Sequence, residues 1–404
     1  MNVLKRIILF IAFASLFIAP FLVSAQTESD ERALLDVDEG IGFSKDDIFK
    51  LNLRFRMQNR VGLYSRAGDD LGIERVEALV RRLRLRFDGY VLSPKISYYI
   101  QLSFSKGDQD LENGVVPQTV RDAILYYTFN KNFYIGFGQS KLPGNRQRVI
   151  SSGNQQFAER SFANARMTID RDFGLFAYYT LEPADNFIVN LKGALTTGDG
   201  RNASIGNNGM AYTGRIELLP FGNFMDNGDY SEGDLNFEPS PKLSIALSNS
   251  INKRAMRTGG QVGRELYTER DIETLIVDGI FKYDGWAAFG EYFKRTTPNN
   301  SPITDNLSGN IRHVTTGQAF NFQGSRMLSK KTELAMRYTF LDTDEEISAF
   351  EPDRKTVLLG ASRYLNGHRI KLQSYMGYEW FPEEMITSTN DDFWVLMFQV
   401  EFGI

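Results

Sequence analysis

The chain has 404 residues, a formal net charge of −4, 42% hydrophobic residues and a mean hydropathy of −0.30. It has no cysteine and two histidines, which excludes disulfides, thiolate metal centres and cysteine nucleophiles and leaves little equipment for catalysis. The mild acidity argues against a nucleic-acid partner, and no stretch after residue 25 approaches the roughly 20 apolar residues that a membrane-spanning helix needs.

Residues 1–25 read as a secretory signal: Lys5 and Arg6, the apolar run Ile7 to Val23, then Val23-Ser24-Ala25 with small residues at the cleavage positions. Its removal takes the formal charge from −4 to about −6. Residues 26–45, with Asp30, Glu31, Arg32, Asp36, Asp38 and Glu39, read as a short acidic periplasmic lead-in. Residues 46–404 are expected to form one barrel domain, since no repeat of 20–50 residues and no low-complexity linker divides them.

A strand that crosses a bilayer in a barrel shows one face to lipid and the other to a wet lumen, with about 9–11 residues per crossing. In the opening run Phe49, Leu51, Leu53, Phe55 and Met57 alternate with Lys50, Asn52, Arg54, Arg56 and Gln58. In the next, Leu83, Leu85 and Phe87 alternate with Arg82, Arg84 and Arg86. Period-two runs follow over 95–105, 119–130, 133–140, 172–181, 187–197, 210–219, 242–252, 271–283, 286–296, 314–327, 333–343, 355–364 and 369–380. The last is the clearest: Trp394, Leu396, Phe398, Val400, Phe402 and Ile404 take every second place. Together they predict an all-β, antiparallel transmembrane barrel of about 16 strands.

The connections alternate in length as those of bacterial barrels do. Short turns at Asn130-Lys131-Asn132, Asp284-Gly285, Ser329 to Thr332 and Asn366-Gly367 carry hairpin chemistry. Longer polar segments lie near 61–79, 106–118, 141–171, 198–209, 253–270, 297–313, 342–354 and 381–392 and are expected outside the cell. Residues 220–241 break the rule, being long where a periplasmic turn belongs. Their acids Asp226, Asp229, Glu232, Asp234 and Glu238 lack the spacing of a calcium loop, so a solvated acidic turn with no metal is expected.

Several of these residues in order resemble the porin O and P family, the phosphate-selective porins. They are the opening strand at 48–58, Arg81-Arg82-Leu83-Arg84-Leu85-Arg86, Gly136-Phe137-Gly138-Gln139-Ser140-Lys141-Leu142-Pro143-Gly144, Ser151-Ser152, Phe157-Ala158-Glu159-Arg160-Ser161 and Asp170-Arg171-Asp172-Phe173-Gly174. The resemblance implies a 16-stranded, usually trimeric porin of the Gram-negative outer membrane, with one long loop folded inward and an arginine ladder down the pore. It makes 141–171 that loop, with Lys141, Arg146, Arg148 and Arg160 as candidate anion contacts. The run Gly144-Asn145-Arg146-Gln147-Arg148 departs from the family pattern, which has an aromatic after the proline and an acid further on, so the solute stays open between phosphate, other small anions and a general mixture.

A charge on the lipid face of a barrel strand costs about 2–4 kcal/mol near the midplane, so Arg54, Arg56, Arg82, Arg84 and Arg86 must face the lumen. Guanidinium groups there attract anions and can donate two hydrogen bonds to phosphate or carboxylate. The competing role is to brace the wall through acids such as Asp88, Asp122, Glu159, Asp170, Asp278 and Glu401. Both roles are expected, since residues 50–88 hold 10 basic and 5 acidic side chains.

The reading is therefore a passive channel for small hydrophilic solutes, anion-preferring, with outer-membrane lipid as its surroundings, no cofactor and no enzymatic role. A plugged barrel that binds another envelope protein is the alternative. A rim hydrolase would need a nucleophile beside His313, the histidine expected outside, while His368 is expected at the opposite end. Trp380, Phe381, Tyr378 and Trp394 fall near strand ends and read as interface-girdle anchors.

Overall fold

The computed structural model describes residues 40–105, 119–203, 207–382 and 391–404; the expected signal lies outside them. The strands are β1 (Ile41–Lys45), β2 (Phe49–Ser65), β3 (Ile73–Val91), β4 (Ser93–Ser103), β5 (Val120–Asn130), β6 (Phe133–Lys141), β7 (Arg171–Ala184), β8 (Phe187–Thr196), β9 (Ala211–Leu219) and β10 (Lys242–Arg257). They continue as β11 (Glu265–Tyr283), β12 (Trp286–Thr296), β13 (Ile303–Asp305), β14 (Ile311–His313), β15 (Gly317–Ser329), β16 (Thr332–Thr343), β17 (Arg354–Asn366), β18 (Ile370–Trp380) and β19 (Phe393–Gly403). Two short helices, α1 (Arg146–Val149) and α2 (Phe162–Met167), lie between β6 and β7.

β1 and sixteen longer strands form one 17-stranded sheet, and the sixteen close when β19 pairs antiparallel with β2, from Val395 opposite Tyr64 to Gly403 opposite Arg56. Closure leaves no free edge along that seam, which a bilayer requires because lipid satisfies no backbone group. β1 takes up the same edge of β2 where β19 stops, from Ile41 opposite Leu53 to Lys45 opposite Phe49. Residues 41–45 of the expected lead-in therefore belong to the sheet. β13 and β14 pair as a hairpin within the external connection after β12.

The period-two reading locates the crossings, and the wall follows it. Along β9, Ala211, Thr213, Arg215 and Glu217 are buried inside while Tyr212, Ile216 and Leu218 are exposed to the bilayer side. On β10 the inward residues include Ser244, Ala246, Ser248 and Ser250, small because arginines occupy the space beside them. At the Asp284-Gly285 turn Gly285 takes a φ of 78°, which an L side chain resists.

Two features differ from the expectation. β2 runs on to Ser65 and β3 starts already at Ile73, and in β3 the unpaired Arg81 bulges opposite Gln58 and Asn59, which shifts the register and breaks the alternation that marks a strand. The lumen is also not polar all round. Phe176, Ile276, Phe293, Ala319 and Leu341 point inward and pack with Leu142, Ala163, Met167 and Ile169 of the β6–β7 connection. An inward apolar side chain is tolerated there because an infolded segment keeps it dry.

Candidate anion pathway

The β6–β7 connection, residues 142–170, dives into the lumen. Its helix α2 starts at Ser161, whose Oγ accepts the Asn164 N–H at 3.1 Å. One side of the connection binds an acidic wall. Arg146 Nε donates to Asp278 Oδ1 at 2.8 Å, its Nη2 donates to Ser244 Oγ at 2.8 Å, and Glu291 accepts the Gln147 N–H at 2.7 Å and Asn145 Nδ2 at 3.1 Å. Arg215 of β9 meets the same Asp278, with Nη2 2.9 Å from Oδ1.

The other side faces the cationic wall of β2 to β6. Arg56 donates to Ser151 Oγ at 2.9 Å and Ser152 Oγ at 2.8 Å, and Arg84 Nη1 donates to Ser152 Oγ at 3.0 Å. Glu159 lies among Arg60, Arg81 and Arg82, with Arg82 Nη2 at 3.1 Å. Arg81 reaches that carboxylate beside Arg82 because the bulge opposite Asn59 turns two successive residues inward. Burial would raise the Glu159 carboxyl, but Arg82, Arg81 and Arg60 hold it well below the usual carboxylate range.

Between loop and wall lies an open chamber of about 560 Å³. Arg54, Arg56, Arg84, Arg86, Arg121, Lys141, Arg160, Arg171 and Arg369 line it, against one acid among the described residues, Glu401. Some of that charge is matched. Arg171 makes a two-pronged contact with Asp122 at 2.9 and 3.1 Å, Arg86 Nε sits 2.8 Å from Asp88, and Arg56 Nε is 3.6 Å from Glu401. Two cations instead meet only neutral oxygens: Arg160 donates to the Gln147 and Ile150 carbonyls at 2.7 and 2.9 Å, and Lys141 Nζ to the Val149 carbonyl at 2.6 Å. Burial and the neighbouring Arg148, Arg82, Arg84 and Arg171 push the Arg160 guanidinium well below its usual value. An anion in the chamber would relieve that repulsion.

Of the residues expected to contact anions, Arg54, Arg56, Arg84, Arg86, Lys141 and Arg160 line the chamber together. Arg82, Arg146 and Arg148 do not. Arg82 is 2% exposed and bound to Gln58 and Glu159; Arg146 is fully buried against Asp278; Arg148 Nε is held by Asp170 at 2.7 Å. These three brace the loop, because an acid reaches each before solvent does. Arg121 and Arg369 join the chamber from positions whose flanking residues carry no motif.

A sequence model of the phosphate-selective porin O and P family matches residues 49–236. No curated protein sequence matches the chain. Among solved structures it is similar to an anion-selective porin from Comamonas acidovorans, at 10% identity and a TM-score of 0.55, covering 88% of this chain and 100% of that one. It is similar also to the outer-membrane channel DcaP of Acinetobacter baumannii, at 13% identity and a TM-score of 0.52 over 89% and 99% of the two chains. The trimer form of OmpT from Vibrio cholerae gives 12% identity and a TM-score of 0.52 over 89% and 100%. At these identities the structural likeness speaks for the barrel plan alone, and the family match for residues 49–236. Over residues 49–236 the chain is similar to the phosphate-selective porin O and P family, and that match on a closed 16-stranded barrel makes it a porin of the Gram-negative outer membrane.

Proposed function

We propose that the chamber is the selective stretch of a passive path for small anions. The observation that carries this reading is the imbalance of its lining, nine cationic side chains to one acidic side chain among the described residues, where Arg160 and Lys141 are bound only to backbone carbonyls. Low-dielectric walls focus such a field and raise the local anion concentration, while several weak sites in series let the ion leave. Phosphate and small carboxylates suit the planar donors of arginine, and the size of the chamber admits either. The anion-selective porin among the structural neighbours supports the reading.

The same reading takes the protein as non-enzymatic. His313 stacks on Phe350 at the external hairpin, with a ring separation of 5.8 Å, and lies 3.8 Å from Glu351, while His368 pairs with Ser231 at the periplasmic end. A homotrimer is part of the proposal, supported by the trimeric neighbour, and crosslinking in native membranes tests it.

The decisive experiment is single-channel conductance and reversal potential in a planar bilayer under a KCl gradient, followed by phosphate titration. The expected result is an anion-side reversal potential and a current that phosphate lowers. A cation-side potential would make the arginines braces alone, and a silent protein would point to a plugged barrel that binds an envelope partner.

A further inference from the structure

Seven of the eight periplasmic connections contain one to three residues, whereas residues 220–241 join β9 to β10 through 22. That segment enters the lumen. Phe224 packs with Ile188, Leu219, Ile280 and Phe289, all inward at the lower end of the acidic wall. Tyr230 Oη donates to Glu217 at 2.6 Å, and the Asp229 carbonyl accepts from Arg146 Nη1 at 2.9 Å. Of the five acids that read as a solvated turn, Asp226 is exposed and the other four are buried: Asp229, Glu232, Asp234 and Glu238 are 6%, 0%, 1% and 1% exposed.

Each of these acids has a structural use. Asp234 accepts the Gly285 N–H at 2.7 Å, Glu238 accepts the Met225 N–H at 2.7 Å, and both contacts tie the segment into a fixed shape. Glu232 faces the tip of the infolded loop. Its carboxylate accepts the Gln156 N–H at 2.9 Å and Gln147 Nε2 at 3.2 Å, and its own N–H donates to the Asn154 carbonyl at 2.8 Å. From β18, Lys371 and Gln373 donate to the Gly153, Gln155 and Gln156 carbonyls. The tip is thus gripped from two sides.

We infer that residues 220–241 are a fixed periplasmic plug that closes the acidic side of the lumen and, through Glu232 as a positioning residue, holds the loop tip so that solutes pass only along the arginine chamber. The inference rests on the anion-path reading. It assigns the plug two effects, on pore cross-section and on selectivity, which a purely structural turn would not have.

The test is the same planar-bilayer measurement on three variants: residues 223–238 replaced by Asn-Gly, Glu232→Ala and Glu232→Gln. The replacement is expected to conduct at least about twofold more than the parent, with its anion preference falling toward none, because a wide bypass lined by Glu217, Asp278 and Glu333 opens. Glu232→Ala is expected to flicker and lose part of the preference, and Glu232→Gln to fall between it and the parent, since its one amide oxygen keeps the Gln156 N–H and its NH2 faces the Gln147 donor. Parental conductance and reversal potential in the replacement would overturn the inference. If the replacement fails to assemble, a parental trace from Glu232→Ala overturns it instead. A parent protein that is silent or cation-selective would refute the anion reading, a different outcome from either.

Discussion

Arg146 and Asp278 meet inside the barrel with Nε 2.8 Å from Oδ1 and neither side chain exposed, one on the infolded loop and one on the wall opposite the chamber. The pair is a strut, and Asp229 at 3.7 Å and Ser244 at 2.8 Å complete the arginine's surroundings. Removing one member of a buried pair costs about 3–5 kcal/mol where the other charge is left alone, and because Arg215 still pairs with Asp278 that figure is an upper bound for this strut. Arg146→Ala is therefore expected to lower the thermal transition of the folded barrel and to make the channel noisy while leaving its sign of selectivity intact. Heat-modifiability on gels together with noise analysis checks this; a quiet channel with a reversed potential would show that Arg146 touches the solute.

Arg160 and Lys141 are expected to behave in the opposite way. Each meets only neutral carbonyls, so neither holds an acid that its loss would orphan. A unit charge at about 4 Å contributes about 1–4 kcal/mol between bulk-water and near-surface dielectric. Arg160→Ala and Lys141→Ala should each lower the anion-to-cation permeability ratio by about fivefold or more, with stability lowered only by about 0.5–1.5 kcal/mol for each carbonyl hydrogen bond lost. Reversal potentials at low salt give the answer, and raising the salt should erase part of the difference by screening. An unchanged ratio in both variants would remove the chamber from the permeation path.

The sequence carried the barrel because the bilayer forces each crossing to show its period. The runs at 187–197 and 286–296 fall within a residue of β8 and β12. It carried the inward face of Arg54, Arg56, Arg82, Arg84 and Arg86 for the same reason, though not that of Arg81, which a bulge turns inward. What it could not carry was which cations remain available, because that depends on partners far along the chain: Arg146 is neutralised by an acid 132 residues away, whereas Arg160 bonds carbonyls 10 and 13 residues away. The 220–241 connection misled in the same sense. Its acids have the composition of a solvated turn, and only the inward Ile188, Ile280 and Phe289, indistinguishable in sequence from lipid-facing residues, show that something covers them.

The facing itself is testable on β10. Leu247 is 46% exposed on the outer wall and its neighbour Ser248 points inward, where its Oγ accepts from Arg215 Nη1 at 2.9 Å. Leu247→Arg is expected to cost about 2–4 kcal/mol if it lies near the midplane, read as a lower urea midpoint for unfolding from detergent or lipid. Ser248→Ala should cost less, at about 0.5–1.5 kcal/mol for the Arg215 bond and less for the longer one to the Gly144 carbonyl at 3.3 Å. Equal losses would mean that the two faces are assigned wrongly.

Glu159 gives the last prediction, because one carboxylate on the loop gathers Arg60, Arg81 and Arg82. Those arginines hold its carboxyl well below the usual range, so it stays ionised in the folded protein through the ordinary carboxylate titration. The sign follows from linkage: a depressed carboxylate contributes stability that is present above its unfolded value and lost only as pH falls through the lower folded one. Between pH 7 and about 4.5, the ordinary glutamate region, the clamp should therefore hold and the reversal potential should not respond to this group. Glu159→Gln deletes at every pH the one loop carboxylate that the three guanidinium groups share, so its anion preference should exceed the parent's and its loop should open more often. A parent whose selectivity already rises toward that of Glu159→Gln as pH falls from 7 to 5 would mean that the carboxylate protonates in that window and that the clamp is weaker than the three contacts imply.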